Sequence, residues 1–324
     1  MIAAICRSYG PPELAVSIEE CHPPPRLSAG QLRVRVSAAA VNYPDVLMLA
    51  NTYQLSVPVP FVPGSEFAGL VAESTTDAYR PGDRVMGTTM VGAFASEVVV
   101  SASSVTRVPD GVSDQAAAAF GIAHRTAYHV LRSIAEVQPG EELVVLGAGG
   151  GVGLAAVQLG SLLGAATTAV ASSPAKLAAA KSHGPARQIS SQPVNFRDAL
   201  RAVLPDGADV VLDPVGGDLA EPALRSLRWG GRFVTVGYAS GVIPCIPLNL
   251  VLLKGCHVLG CQVNHFAEHA PDKHRRDEQE LLGLLAAGRA FPHISATYPL
   301  AEAAAALRHV ADRNAIGKVV LHIA

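Results

Sequence analysis

The chain of 324 residues has no C-x-x-C pair, and its five cysteines, Cys6, Cys21, Cys245, Cys256 and Cys261, are an odd number. A disulfide framework and a cysteine-held zinc motif are therefore not read here; reduced thiols in a cytoplasmic setting are expected. Excess charge of either sign is also missing. A formal net charge of −2 leaves no electrostatic footprint for nucleic acid or an anionic membrane. No secretory signal is expected, because the apolar start meets Arg7 too early. No internal repeat, low-complexity tail or long linker interrupts the chain. The histidines are scattered, so His124 and His129 read as surface or core residues, and no metal site is expected. One absence misleads: Leu143 to Ala175 carries no formal charge, enough length for a membrane helix. Its glycines, the Ser172-Ser173-Pro174 break and its β-branched residues instead suit a buried parallel sheet with packed helices. No membrane span follows, and the expected partner is a small molecule.

What is present is a glycine cluster between a short apolar strand and an apolar helix, Leu143-Val-Val-Leu-Gly-Ala-Gly-Gly-Gly-Val-Gly-Leu154. Backbone approaches a pyrophosphate closely only where side chains are absent, and a helix N-terminus adds free N–H groups and a positive dipole end. A G-x-G-x-x-G frame begun at Gly147 fails at Val152. Gly147, Gly150 and Gly153 fit an i, i+3, i+6 relative of it, with Gly151 and Val152 between them. A glycine-rich turn without a ligand is the bland reading. A following strand, Ala165 to Ala171, completes a βαβ unit and favours the dinucleotide.

Along the chain, residues 1–119 alternate short β patterns such as Leu32 to Val36 and Glu97 to Val100 with turns such as Pro23-Pro24-Pro25 and Pro81-Gly82-Asp83. From 120 to 262 strands and helices alternate: strands Glu142 to Leu146, Ala166 to Ala171, one near Gln188, Asp209 to Leu212, Arg232 to Val236 and His257 to Cys261. That rhythm predicts a doubly wound parallel sheet. Residues 263–324 hold a polar helix (Asp272 to Leu285), another helix (Leu300 to Ala311) and a strand (Lys318 to Ile323), which are expected to rejoin the first domain. The fold class is α/β, a β-rich catalytic domain with an inserted parallel-sheet domain and the active site in the cleft between them.

Seven segments in order then resemble the zinc-independent quinone oxidoreductase branch of the medium-chain dehydrogenase/reductase superfamily. They are Val41-Asn-Tyr-Pro-Asp45, Pro60 to Gly69, Pro81 to Val85, Thr126-Ala-Tyr128, the glycine loop, Asp213-Pro-Val-Gly-Gly217 and Gly317-Lys-Val-Val-Leu321. The resemblance implies a GroES-like domain, an inserted Rossmann domain and a homodimer. Where zinc enzymes of that superfamily place their ligands, this chain has Asn42, Ser65 and Ile122, and the four-cysteine structural zinc lobe is absent. An amide, a hydroxyl and an alkyl group do not make a zinc shell. Without a Lewis acid the expected acceptor takes hydride readily: a quinone or an α,β-unsaturated carbonyl.

The end of the second Rossmann strand carries no acid for ribose hydroxyls. Ser172, Ser173 and Lys176 are expected to meet a 2′-phosphate, favouring NADPH, although Ser173-Pro174 is also an ordinary helix start. Relatives often carry a Tyr after the third strand where this chain has Ser191, and Arg187 or Arg313 is read as compensating. The resemblance further places Val215, Gly237, Tyr238 and Lys318 with the cofactor, and Asn42, Tyr53 and Thr126 around the reacting ring. Asn42 and Thr126 are expected to fix the nicotinamide and Tyr53 to protonate substrate, the alternative for Tyr53 being a loop aromatic over the cleft. Asp45 is read as a cap or turn-maker. The strand His257 to Cys261 closes the sheet with an uncovered apolar edge, expected to pair across a dimer. Rival readings are a 2-enoyl thioester or enone reductase and a non-catalytic NADPH-binding regulatory protein.

Overall fold

Leu32, Val34 and Val36 are buried while Arg33 and Arg35 face outward, the period of two that makes Gln31–Val41 a strand, and from Ala38 onward the strand is buried throughout. Around it, in a computed structural model that describes residues 1–22, 26–192 and 196–323, the chain forms two compact units, 1–122 with 292–324 and 123–291. Pro23-Pro24-Pro25, read as a turn, lies outside the described residues.

In the first unit the strands are β1 (Ile2–Cys6), β2 (Val16–Glu20), β3 (Gln31–Val41), β4 (Glu66–Ser74), β5 (Arg84–Thr88), β6 (Glu97–Ser101) and β7 (Val105–Arg107); β14 (Ile294–Pro299) and β15 (Lys318–His322) come from the returning chain. β1 and β2 form an antiparallel pair. Among the described residues the other strands form one sheet in the order β14-β15-β3-β4-β5-β7, with β6 also on β3. Helices α1 (Pro12–Ala15), α2 (Tyr43–Leu49) and α11 (Ala303–Ala311) complete a core that includes Leu32, Leu49, Phe67, Phe94 and Leu307. Each such side chain contributes about 1.5–3 kcal/mol by leaving water.

α3 (Asp114–His129) begins in the first unit and ends in the second, where a π-helical turn, Val130–Ile134, continues it. The second unit's strands are β8 (Glu142–Val145), β9 (Ala166–Ala171), β10 (Arg187–Ser190), β11 (Ala208–Asp213), β12 (Leu227–Thr235) and β13 (His257–Gly260). They pair in parallel in the order β10-β9-β8-β11-β12-β13, the doubly wound arrangement. α4 (Gly151–Leu162), α5 (Pro174–Lys181), α6 (Phe196–Val203), α7 (Ala220–Arg225) and α8 (Leu248–Lys254) link them, and α9 (Val263–His269) and α10 (Pro271–Ala286) follow. α4 reads as apolar all round because Gly153 to Gly160 are buried.

The domain limit after 262 does not coincide with the observed division. Residues 263–291 belong to the second unit, since α10 buries Leu281 and Leu285 there and Asp277 bonds Ser133. β12 begins at Leu227, five residues before the read start; register shifts between Ala208 and Val210, and Arg228 to Gly231 loop out with Trp229 exposed. No helix among the described residues is long and apolar enough to cross a membrane.

Candidate functional site

At the carboxyl ends of the second unit's strands the glycine loop is held by its own backbone. Leu146 N–H donates to Leu212 O at 3.0 Å, Ala148 N–H to Val170 O at 2.8 Å and Gly150 N–H to Gly147 O at 2.9 Å. Gly147 has φ +60°, a left-handed conformation that favours glycine. A Cβ on Gly153 would stand 2.1 Å from Gly147 O, so this glycine lets α4 close onto the loop. At Gly150, by contrast, the nearest atom to a Cβ would be Gly147 O at 3.5 Å. A side chain is tolerated there by the protein, and the space beside the start of α4 suits a phosphate.

The structure gathers several predicted cofactor residues around this loop. Val215 packs on Gly147 and the Lys176 side chain lies across Gly149, each close enough to collide with an added Cβ. Ser172 is exposed at the end of β9, and Ser191 N–H donates to Ala171 O at 2.9 Å beside it. Ser173 caps α5, its Oγ accepting from Lys176 N–H at 3.3 Å. Asp213, fully buried, accepts from Val215 and Gly216 N–H, both at 2.8 Å. Burial raises its pKa, and those two bonds work against the rise. The neighbouring turn is zipped on: Ala239 N–H reaches Pro214 O at 3.1 Å and Ser240 N–H reaches Val215 O at 2.9 Å, placing Gly237 and Tyr238 alongside. Thr126 lies on the part of α3 within this unit. Arg187 does not serve as the compensating cation, because its guanidinium is committed to Glu142 and Thr168. Arg313, with φ +59°, sits in the turn after α11, in the first unit.

The first unit holds a buried polar cluster at the start of α2. Asn42 N–H donates to Asp45 Oδ2 at 2.7 Å, which makes Asp45 the N3 half of a capping box whose N-cap is Asn42, and Ser65 Oγ donates to Asp45 Oδ1 at 2.9 Å. Lys318, on β15, sends its ammonium to Asn42 Oδ1 at 2.5 Å and Glu66 Oε2 at 2.9 Å. Asn42 Nδ2 donates to the same Glu66 oxygen at 3.1 Å and to Ala40 O at 3.3 Å, and Ile122 N–H donates to Glu66 Oε1 at 2.8 Å. The ammonium fixes which end of the amide is oxygen, and both Nδ2 hydrogens are spent within the cluster. Lys318 was expected among the cofactor contacts; the structure buries it behind Asn42, where it acts by orienting that amide. Tyr53 is half-buried against the unit's core, with its hydroxyl 3.5 Å from Gln54 Nε2.

This cluster does not fit zinc. Ser65 and Asn42 are bonded within the cluster, Ile122 brings only its backbone N–H, and an ammonium is already seated on Asn42 and Glu66. Glu66 was quoted in the Gly64-Ser65-Glu66 segment without a role, and Lys318 only among the cofactor contacts, without its bonds to Asn42 and Glu66. Their 252-residue separation hides the pair from any reading by spacing.

Burial, opposed by the bonds from Asn42 and Ser65, pushes the Asp45 pKa up to about 7. The folded protein then holds this proton more tightly than the unfolded chain. Its contribution to stability is full below about pH 4 and is lost as pH rises through about 7, by up to about 1.4 kcal/mol per pH unit. Asp45→Asn keeps both bonds with its amide turned and cannot ionise. Thermal melts at pH 5 and 8 should show the variant gaining on the parent at pH 8; an unchanged gap would refute the assignment.

Comparison with known proteins agrees with both halves. Residues 28–110 match the alcohol dehydrogenase GroES-like domain and residues 151–286 the zinc-binding dehydrogenase domain. Quinone oxidoreductase-like protein 2 of Bos taurus is 34% identical over 99% of this chain and 92% of its own length. The quinone oxidoreductase of Thermus thermophilus, solved also as its complex with NADPH, superposes with a TM-score of 0.87 at 30% identity, covering 99% of this chain and 100% of that one. A stretch of the Streptomyces venezuelae polyketide synthase component PikAII, 8% of that protein, is 34% identical over 92% of this chain.

Proposed function

Because this chain belongs to the zinc-independent quinone oxidoreductase branch of the medium-chain dehydrogenase/reductase superfamily, we propose that it is an NADPH-dependent enzyme delivering hydride to a quinone or similar electron-poor acceptor. The observation that carries the reading is the ammonium of Lys318 bonded to Asn42 and Glu66, with no zinc donor set around it. When bound, the nicotinamide supplies hydride from its C4. Gly147, Gly150, Gly151, Val152 and Gly153 hold the pyrophosphate at the start of α4, and Ser172, Ser173 and Lys176 meet the 2′-phosphate, with Ser191 and Arg313 as further polar partners. Val215, Gly237 and Tyr238 line the nicotinamide end. Asn42 and Thr126 orient the ring, and Tyr53 donates the proton. The protein thus contributes position and polarity, which is sufficient for an acceptor already electron-poor.

NADPH oxidation with quinones, enones and enoyl thioesters tests this reading. Quinone turnover that survives chelation in protein that stays folded is expected; no turnover with any acceptor would leave a binding protein only, and turnover lost by the folded, chelated protein and restored by zinc would overturn the metal assignment. The polyketide synthase stretch favours a second reading, reduction of an enoyl thioester, which preferred turnover of that substrate would support. NADPH should bind more tightly than NADH, and Lys176→Ala should narrow the gap about tenfold in a fluorescence titration, the worth of one charge-assisted bond. Equal affinities in the parent would sink the cofactor assignment.

The assembly proposed is a homodimer through β13, which has β12 as its sheet neighbour and exposes Val258. Trp229 on the adjoining β12 loop and Leu248, Leu252 and Leu253 on α8 are also exposed, apolar side chains that a partner could cover. Light scattering should give a dimer, and Leu252→Asp should weaken it; a monomeric parent would refute the assembly.

A further inference from the structure

Where the last turn of α3 meets α10 in the second unit, three side chains with metal-binding chemistry converge, and none has a part in the proposed reaction. His129 is fully buried, with Nδ1 3.1 Å from Asp277 Oδ2. Asp277 is itself held by Ser133 Oγ at 2.6 Å and by the guanidinium of Arg276. A carboxylate that takes the Nδ1 proton leaves the lone pair of His129 on Nε2. That Nε2 lies 3.2 Å from Glu278 Oε1, yet both atoms are buried without a hydrogen-bond partner among the described residues. The other oxygen of Glu278 is fixed by Arg125 Nε at 2.7 Å. His274, one helical turn before Glu278, has its Nε2 4.0 Å from the same Oε1, and its ring stacks on His129 with centroids 4.9 Å apart.

A lone pair pointed at a carboxylate oxygen is unfavourable, and either a proton on Nε2 or a metal ion between the two atoms relieves it. Two ligands of one tetrahedral ion, at the usual bond lengths of about 2.0–2.1 Å, are about 3.3 Å apart, close to the observed separation of His129 and Glu278. The donor atoms of His129, His274 and Glu278 all lie within 4.8 Å of one another. His274 is the partly exposed member, and a movement of about 1 Å brings it to ligand distance of such an ion, leaving a fourth position for water. We propose that His129, His274 and Glu278 bind one divalent transition ion of the zinc, cobalt or nickel type, with Asp277 orienting His129 and Arg125 orienting Glu278. The ion pins the end of α3 to α10 and stabilises the second unit.

The competing account is an imidazolium at His129 bridging the two carboxylates with no ion. Titrating the full-length, chelator-treated protein with Co²⁺ separates the two. One equivalent should develop visible absorption of four- or five-coordinate cobalt, and saturating Zn²⁺ should raise the melting temperature. His274→Ala, at a partly exposed position, should lower cobalt affinity about tenfold or more, and Glu278→Gln should do the same. Replacing His265 and His269, a histidine pair one turn apart on α9, should leave it unchanged. No absorption at one equivalent, full affinity in His274→Ala, or loss confined to the His265/His269 variant would overturn the site.

Discussion

Lys318→Met is expected to destabilise the protein by about 3–5 kcal/mol, because it leaves the Glu66 carboxylate, 1% exposed, without its ammonium. For a domain of this size that corresponds to a fall in melting temperature of roughly 6–20 °C. Glu66→Gln strands the ammonium instead and should cost a similar amount. The double variant replaces a buried ion pair by a neutral pair and should recover much of the loss, since removing both charges is far cheaper than removing one. A double variant no more stable than either single one would show that the two residues do not act as a pair. The same melts report on Asn42: with Lys318 gone, its amide loses the partner that fixes it. If turnover is restored along with stability in the double variant, Asn42 does not need that orientation.

The second large effect separates two glycines three residues apart. Gly153→Ala should cost several kcal/mol and abolish dinucleotide binding, because its methyl meets Gly147 O, Gly147 C and Ala148 Cα, all backbone and all under 3 Å. Gly150→Ala meets only Gly147 O at 3.5 Å, so its melting temperature should stay near the parent's. If the pyrophosphate lies against this loop, the same methyl intrudes on it, and NADPH affinity should fall about a hundredfold, near 3 kcal/mol. Calorimetric binding with melts on each variant checks both halves. A Gly150→Ala protein that binds NADPH normally would move the pyrophosphate elsewhere.

The parallel sheet was legible because its strands are short apolar runs bounded by glycine, proline or serine; Ala166–Ala171 was read to within one residue at its start. The boundary near 262 was not. α10 is polar over its first half, and its attachment to the second unit depends on Ser133 and Asp277, 144 positions apart. β12 was read short because Arg228 to Gly231 interrupt its pairing with β11 between Leu227 and Arg232, an excursion within a strand that leaves no periodic pattern in the sequence. At the candidate site, Asp45 was legible as a cap from Asn42-Tyr-Pro-Asp45 alone. What escaped was tertiary. Lys318 presents as one more cation before an apolar strand, and its work depends on Asn42 and Glu66, supplied by a distant part of the chain.

That distance bears on how the protein reaches its folded state. Strand β3 pairs with β15, and Asn42 accepts its ammonium from a residue 276 positions later, while the second unit is continuous in sequence. Contacts that close long loops form slowly, because the chain entropy is lost before the contact repays it. The Rossmann unit can therefore order while the cluster around Asn42 still lacks its cation. Glu66 waits in that interval as a carboxylate exposed to water. Seating Lys318 removes both charges from solvent together, so the first unit should be the last to become resistant to proteolysis during refolding.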